Sequence, residues 1–248
     1  MSFLTRHSPQ QITDLVFSDA TVGNIIADYA QGLRDKHLLL HGPAGSGKSI
    51  AAQIILSTQV GKLAGTAVAR PINPRDYAYD DFEPLLHDWS AQKNNGSARG
   101  FTVIDEVDFF SDHKLEKLRA FIDSTEQGTI IVTTNNLHKL DEPFKDRFRK
   151  LLVERPNASD WTARAQAILA SEGVILTKQQ VGILLNGFQG SARELIEWLE
   201  DYTLTFKRQP PSAATAVVQN NKPCGIKVRP GKTLINGHSL TNTHGVKK

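Results

Sequence analysis

The first 156 residues alternate between apolar runs of strand length and stretches with apolar residues at helical spacing. An apolar residue every three or four positions predicts an amphipathic helix, whereas a short apolar run is typical of a buried parallel strand. Strands that alternate with helices indicate a parallel sheet covered by helices on both faces, which is an α/β fold. The predicted helices span about 19–34, 49–63, 80–92 and 112–123, and the five predicted strands span 37–41, 66–69, 101–104, 129–134 and 151–153.

The strand pattern stops after Pro156, and three helical stretches follow at about 159–171, 177–186 and 191–206. Each stretch opens with Ser or Thr, which cap helix N-termini, and glycines separate the stretches. From residue 209 on, Pro–Pro, Asn–Asn and Pro–Gly pairs interrupt any periodicity. The sequence therefore predicts an α/β domain over 1–156, a small all-helical domain over 157–208 and a mostly irregular tail over 209–248.

The positive charge of the chain is concentrated in that tail. The 248 residues carry a formal net charge of +3, from 29 Lys or Arg and 26 Asp or Glu. Six of the basic residues and none of the acidic ones lie in 209–248, so the remaining residues have a net charge of −3. A basic tail can contact nucleic acid, and it can also be a solvated end without a dedicated partner. Composition leaves both interpretations open.

Composition also disfavours several classes of protein. The proportions of 40% hydrophobic and 22% charged residues are ordinary for a globular protein. No apolar run approaches the ~20 residues of a membrane-spanning helix, and no apolar segment near the start indicates a secretory signal. The single cysteine, Cys224, forms neither an internal disulfide nor a zinc cluster. We therefore expect an intracellular, cytoplasmic protein that is not secreted and has no membrane partner.

The segment 42–49 has the phosphate-binding pattern GxxxxGK[ST] at every fixed position, between a predicted strand and a predicted helix. Its glycines let backbone N–H groups turn toward phosphate oxygens, and the following helix adds its positive end. We expect the Lys48 ammonium to contact the β- and γ-phosphates, and the Ser49 hydroxyl to ligate Mg²⁺. A glycine-rich turn that binds nothing is the alternative, which the flanking strand and helix disfavour. The expected nucleotide contacts are Gly42, Pro43, Ala44, Gly45, Ser46, Gly47, Lys48 and Ser49.

Two adjacent acids, Asp105 and Glu106, end the apolar strand predicted at 101–104. The carboxyl ends of parallel strands are where such sheets bind their ligands. We expect Asp105 to hold Mg²⁺, mostly through water, and Glu106 to polarise the attacking water in phosphoryl transfer. Acids after a strand also cap helices or form surface turns, but the phosphate loop upstream favours the catalytic interpretation.

With these two segments, further motifs make the chain similar to the AAA+ ATPases. Asn135 follows the predicted strand at 129–134 and resembles the sensor-1 residue, with Asn136 as the alternative one position on. The resemblance implies that this Asn contacts the γ-phosphate side and orients water. An Asn after a β-strand can also simply begin a turn.

Two arginines resemble the remaining AAA+ elements. The segment 145–148 resembles the arginine-finger segment, which implies that Arg147 reaches the nucleotide of a neighbouring subunit; a surface basic cluster is the alternative. The segment 190–193 resembles the sensor-2 motif GxxR, which implies that Arg193 contacts the nucleotide from a helical lid.

Near the start of the chain, the resemblance makes Val16 and Phe17 candidate contacts for the adenine base, with ordinary core packing as the alternative.

The order of these motifs is similar to the clamp-loader branch of the AAA+ ATPases. The segments 6–9 with 14–16, 72–76 and 105–108 carry that resemblance. The branch usually has Ser-Arg-Cys at the finger, where this chain has Asp-Arg-Phe. The branch also has a helical collar, where this chain has about 40 residues that are predicted to be mostly irregular.

The resemblance implies a five-stranded AAA+ core with a helical lid, and Mg-ATP hydrolysis in a homo- or hetero-oligomer of AAA+ subunits. The task it implies is loading or remodelling of DNA-bound protein complexes in replication or recombination. The alternative is an ATP-driven switch that recruits or remodels a protein without direct dependence on DNA.

Overall fold

The computed structural model describes residues 1–60, 71–75, 81–94, 96 and 99–208 of the chain. In this part, α/β elements are followed by a helical lid, as the hydrophobic pattern predicts. The strands are β1 (His37–His41), β2 (Gly100–Ile104), β3 (Gly128–Thr134) and β4 (Phe148–Leu152). The helices are α1 (Phe3–His7), α2 (Ala20–Gln31), α3 (Lys48–Val60), α4 (Pro84–Asn94), α5 (Asp112–Ser124), α6 (Glu142–Lys145), α7 (Ala158–Ser171), α8 (Lys178–Leu184) and α9 (Ala192–Arg208).

The four strands form one parallel sheet in the order β2-β3-β1-β4. Parallel pairing places the carboxyl ends of all four strands at one end of the sheet, its carboxyl edge. The strand β3 lies between β1 and β2, with Leu39 of β1 opposite Val132 of β3. The loops that follow β1, β2 and β3 are therefore neighbours at that edge.

The expected count of five strands is wrong for the described residues, which contain four. The predicted strand at 66–69 lies outside the described residues. Just beyond it, Ile72 forms an isolated parallel bridge with Ile104, on the free side of β2. Within residues 71–75, the backbone at Ile72 thus adds one residue pair beside β2 without forming a strand.

The last strand also differs from its prediction at 151–153, because it runs from Phe148 to Leu152. Its burial is interrupted, because Phe148 and Leu151 are buried but the charged Lys150 between them is exposed. A strand at the edge of a sheet is often solvated on one face, so it carries charged residues that interrupt an apolar run. The charged residues at 149–150 interrupt the apolar pattern, so the pattern does not predict the first half of this strand.

Successive side chains of the strands enter two different cores, because they point to opposite faces of the sheet. Leu38 and Leu40 pack with α2 and α3 on one face, whereas Leu39 packs with α4 and α5 on the other. The sheet is thus covered on both faces. In the described part of the chain, no helix has the length and apolar character needed to cross a membrane.

The lid has its own core, formed by α7, α8 and α9, and the N-terminal helix α1 belongs to it. Phe3 of α1 is 5% exposed and packs in this cluster with Trp161 and Leu199. Glu172, after the end of α7, accepts hydrogen bonds from Arg6 (2.8 Å) and from the His7 ring (2.9 Å). These bonds hold the pKa of Glu172 down to about 2, with His7 as the largest cause. The first residues of the chain are therefore bound to the lid by both packing and hydrogen bonds.

Candidate active site

The phosphate-binding loop connects β1 to α3 and lies at the carboxyl edge of the sheet. Gly42 begins it with φ of +143°, and a Cβ at this position would lie 2.3 Å from the Val153 carbonyl oxygen. Gly45 has φ of +78° and closely approaches the lid. Side chains at these two positions are excluded by neighbouring atoms as well as by backbone conformation. The structure therefore requires glycine at both positions, of which Gly42 is fixed in the motif and Gly45 is variable.

The Lys48 side chain is folded into this loop. It is 5% exposed, and its Nζ donates to the carbonyl oxygens of Gly42 (2.9 Å) and Pro43 (2.8 Å). Burial lowers the pKa of Lys48, and the Asp105 carboxylate is the largest influence in the opposite direction. The ammonium is thus held among the loop atoms, within electrostatic reach of the carboxylates after β2. This is where a cation can meet phosphate oxygens.

Asp105 and Glu106 are held by one hydroxyl from the neighbouring strand. Thr133 of β3 donates its hydroxyl hydrogen to Asp105 Oδ1 (2.5 Å) and accepts a hydrogen bond from the Glu106 backbone N–H (2.9 Å). Thr133 is 1% exposed, so these bonds are shielded from water. The contact fixes the end of β2 relative to β3 and thereby places both acids beside the loop that follows β1.

Glu106 has a left-handed backbone conformation, with φ of 55° and ψ of 50°. It is the one non-glycine residue with positive φ in the described part of the chain. Such a conformation costs about 1–3 kcal/mol and is found mainly where the surrounding structure imposes it, often at active sites. Its carboxylate lies 3.9 Å from Arg75 Nη2, and the Arg75 guanidinium stacks 4.1 Å over the Phe109 ring.

The sensor-1 candidate Asn135 directly follows β3 and is exposed. Because β3 lies between β1 and β2, Asn135 is at the same edge as the phosphate loop and the acids. The preceding Thr134 donates its hydroxyl hydrogen to Asp108 (2.8 Å), and the Asn136 backbone N–H donates to the Thr134 hydroxyl (2.9 Å). The alternative Asn136 is therefore held by its backbone in the turn, next to Asn135.

The arginine-finger candidate Arg147 does not lie with these residues in the single chain. Its Nε donates to Asp123 Oδ1 (2.7 Å), its Nη2 pairs with Asp123 Oδ2, and its Nη1 donates to the Pro143 carbonyl. This bidentate pair raises the pKa of Arg147 and lowers the pKa of Asp123. The structure thus ties Arg147 to α5, away from the phosphate loop.

The lid meets the phosphate loop at the start of α9. A Cβ built on Gly45 would lie 2.6 Å from Ser191 Cβ, just before Arg193 in the first turn. Ser191 and Glu194 form reciprocal bonds, because the Ser191 N–H donates to Glu194 Oε2 (2.5 Å) and the Glu194 N–H donates to Ser191 Oγ (3.3 Å). Arg193 is exposed, and no hydrogen bond or ion pair involves its side chain within the described ranges.

The base-contact candidates lie between the core of the α/β part and the core of the lid. Val16 packs against the lid cluster, whereas its neighbour Phe17 packs against the α/β cluster. Both are half-buried. Residues at such a junction can contact a ligand that binds between the α/β part and the lid. The core-packing alternative is also satisfied by this placement.

Arg155 is a residue that sequence reasoning did not select. It follows β4 in the connection to the lid, and its guanidinium donates to the Ala44 carbonyl oxygen of the phosphate loop from Nε (2.8 Å) and Nη2 (2.6 Å). The two residues are 111 positions apart. No local pattern signals such a contact, because an Arg before Pro156 resembles any basic residue in a loop.

The side chains at the edge of the sheet fit Mg²⁺ bound together with a nucleotide. Mg²⁺ prefers oxygen ligands and is usually held by one or two protein groups plus water and phosphate oxygens. The Asp105 carboxylate and the Ser49 hydroxyl are such groups, and neither is fully buried. Among the described residues, no group of three or more His, Cys, Asp or Glu could hold a metal ion without a nucleotide.

One family model matches the α/β part of the chain. Residues 38–155 match the model of the "ATPase family associated with various cellular activities (AAA)". This match confirms the expectation of an AAA ATPase domain, and it covers the phosphate loop, both acids and Asn135.

Two curated relatives are subunits of replication factor C. The chain is 26% identical over 203 residues to subunit 1 of Schizosaccharomyces pombe, covering 75% of this chain and 21% of that protein. It is 21% identical over 198 residues to subunit 4 of Encephalitozoon cuniculi, covering 79% of this chain and 63% of that protein. The chain thus spans about a fifth of the first relative and less than two thirds of the second.

Two solved structures of Thermotoga maritima RuvB variants have a similar fold. Each has a TM-score of 0.60 at 16% identity. The first match covers 81% of this chain and 67% of the other, and the second covers 86% and 73%. At this identity the likeness concerns the fold.

Proposed function

Since residues 38–155 match the AAA ATPase model, we propose that this protein binds ATP with Mg²⁺ between the α/β part and the lid and hydrolyses it to ADP and phosphate. The observation that carries the proposal is the shared edge of β1, β2 and β3, where the phosphate loop, Asp105 with Glu106, and Asn135 follow adjacent strands. Phosphoryl transfer needs mainly positioning and charge stabilisation, and this edge supplies both.

The proposed roles follow from what each side chain can contact. The loop amides and the Lys48 ammonium bind the β- and γ-phosphates, while Ser49 and Asp105 hold Mg²⁺, which neutralises charge on the phosphates. Glu106 polarises the attacking water, and Asn135 orients it. Arg193 contacts the phosphates from the lid, and Val16 contacts the base. The preference for ATP over GTP derives from the family, because the loop recognises phosphates.

Nucleotide binding is tested by Lys48→Ala. The substitution removes the cation held in the loop, so we expect binding of labelled ATP to weaken at least 100-fold. Lys36→Ala is the matched control, because Lys36 is exposed and precedes β1 at the opposite edge of the sheet. Equal binding of ATP by Lys48→Ala and wild type would refute the phosphate-loop assignment.

We also propose that the active unit is an oligomer of AAA+ subunits, in which Arg147 of one subunit completes the site of the next. The ion pair with Asp123 supports a role outside its own site, because within one chain the guanidinium is held on α5. Mixing inactive Arg147→Ala with inactive Glu106→Gln should restore activity at sites that receive one intact residue from each variant. No recovery at any mixing ratio would argue against shared sites.

The task that we propose for the ATP cycle is loading or remodelling of protein complexes on DNA. The similarity to replication factor C subunits and the basic composition of residues 209–248 support it. That tail lies outside the described residues, so its contribution is argued from charge alone. Six positive charges can bind phosphates in a salt-dependent manner.

The test is the ATPase rate of the full chain with and without primed DNA at low salt. A matched variant replaces the six basic residues of the tail with Gln, which keeps its length and removes its charge. Stimulation that is lost in this variant supports coupling through the tail, whereas stimulation that persists places the DNA contact elsewhere. No response of wild type to DNA would favour the alternative, an ATP-driven switch that acts on a protein.

A further inference from the structure

The contact between Arg155 and Ala44 is unusual because it joins a charged side chain to a neutral carbonyl. Both donating atoms of Arg155, Nε and Nη2, meet the same oxygen at 2.8 and 2.6 Å. Within the described ranges, no carboxylate lies at ion-pair distance from Arg155, although the residue is exposed. The guanidinium therefore acts on the backbone of the phosphate loop instead of forming a surface ion pair.

This contact determines where the next amide points. In a trans peptide the C=O and N–H bonds point in opposite directions, and the described backbone contains no cis peptide. If Arg155 holds the Ala44 oxygen on the side of the lid connection, the Gly45 N–H is directed to the other side of the loop. In phosphate-binding loops, the amides that contact phosphate oxygens point into the loop, away from the groups that hold its carbonyls.

The same contact reaches the lid. Arg155 belongs to the connection between β4 and α7, and the buried Pro156 follows it. Gly45 lies against Ser191, whose partner Glu194 has its pKa lowered by Ser191 and, to a smaller extent, by Arg155. Arg155 thus lies where the phosphate loop, the connection and the first turn of α9 meet.

We propose that Arg155 is a positioning residue, which holds the Ala44 carbonyl so that the Gly45 N–H is aimed at a nucleotide phosphate and links the loop to the lid. The inference rests on the proposed nucleotide binding by the loop. It assigns Arg155 no contact with the nucleotide.

Two substitutions separate the hydrogen bond from the charge. Arg155→Ala removes both, whereas Arg155→Gln places an amide nitrogen where Arg155 has Nε, so it keeps one hydrogen bond and removes the charge together with the second donor, Nη2. Arg34→Ala is the control, because Arg34 also donates twice to one oxygen, on Asp28, but before β1 at the opposite edge.

We expect Arg155→Ala to bind ADP with Mg²⁺ about tenfold more weakly than wild type, and Arg155→Gln and Arg34→Ala to remain within about threefold. Without nucleotide, the midpoint of thermal unfolding should change by no more than about 2 °C in Arg155→Ala, because the lost contact is exposed. Equal weakening in Arg155→Gln and Arg155→Ala would overturn the proposal, because binding would then not depend on the hydrogen bond that Gln retains.

The Gly45 amide can be observed directly by NMR, because Ala–Gly pairs are rare in the sequence. Labelling with carbonyl-¹³C alanine and ¹⁵N glycine gives correlated signals only from Ala–Gly pairs, and the chain has two, at 44–45 and 64–65. The variant Ala64→Ser identifies the second signal by its disappearance. In wild type the Gly45 proton should move downfield when ADP and Mg²⁺ are added, and in Arg155→Ala it should move much less.

The outcomes distinguish the inference from the proposed function. If wild type binds no ADP, both fail. If wild type binds ADP, but Arg155→Ala binds it equally well with the same Gly45 shift, the positioning role fails and nucleotide binding by the loop stands.

Discussion

The hydroxyl of Thr133 donates to Asp105 Oδ1 across 2.5 Å and, at the same time, accepts a hydrogen bond from the Glu106 backbone N–H. One buried side chain on β3 therefore fixes the two acids that end β2. It also holds Glu106 in its left-handed conformation, because the bonded N–H belongs to that residue. Thr133 is thus part of the support of the site, although it need not touch the nucleotide.

Thr133→Val tests this support. Valine has nearly the same shape but cannot hydrogen-bond, so the buried Glu106 N–H loses its partner and the free energy of unfolding should fall by about 1–3 kcal/mol. We also expect turnover of ATP to fall at least tenfold, because the acids lose their fixed position. Thr133→Ser keeps the hydroxyl and should keep most of the activity. Wild-type turnover in Thr133→Val would show that the contact is not needed.

The pair of Arg147 and Asp123 gives a second prediction. If Arg147 acts on a neighbouring subunit, it must leave Asp123, so Asp123 is not itself required for hydrolysis. Arg147→Ala should lower steady-state turnover at least 100-fold, whereas Asp123→Asn should retain it within about threefold. Nucleotide binding by both variants should match wild type. An equal loss of turnover in both variants would instead identify the pair as structural.

His37 makes stability dependent on pH. Its Nδ1 accepts a hydrogen bond from the Ile130 N–H (3.0 Å), and burial, followed by the nearby Arg99 and Lys36, lowers its pKa from 6.5 to about 4. Between these values the unfolded chain binds a proton that the folded chain does not. The free energy of unfolding should therefore fall as pH decreases from about 6.5 to 4, by up to about 3 kcal/mol from this residue.

The matched variant is His37→Asn, because the Asn side-chain oxygen can accept the same hydrogen bond and does not titrate. Urea unfolding at several pH values should give a shallower acid slope for His37→Asn than for wild type. Identical slopes would show that His37 takes up protons equally in both states.

The elements that the sequence predicts well are those with local causes. β1, β2 and β3 have central residues buried on both faces, so each is a short, mostly apolar segment such as Leu38–Leu39–Leu40. The phosphate loop is recognisable because its two fixed glycines, Gly42 and Gly47, both have positive φ, which favours glycine. Asp105 and Glu106 follow from the same logic, since they end a buried strand.

What the sequence does not reveal depends on contacts between distant residues. Arg155 reaches Ala44, and Arg6 reaches Glu172 across 166 positions, and neither contact leaves a periodic pattern. The short helix α1 was not predicted, because its burial of Phe3 depends on the lid. The partner of Arg147 was likewise unpredictable, since Asp123 lies on another helix.

The most direct test of the account is to measure bound ATP and its turnover together in Glu106→Gln. The amide keeps the size of the carboxylate but polarises water poorly, so turnover should fall at least 100-fold while ATP with Mg²⁺ remains bound as tightly as in wild type. Glu197→Gln, the same change at an exposed position of α9, should leave both quantities unchanged. Turnover of Glu106→Gln at the wild-type rate would contradict the proposal that this edge of the sheet hydrolyses ATP with Glu106 as its base.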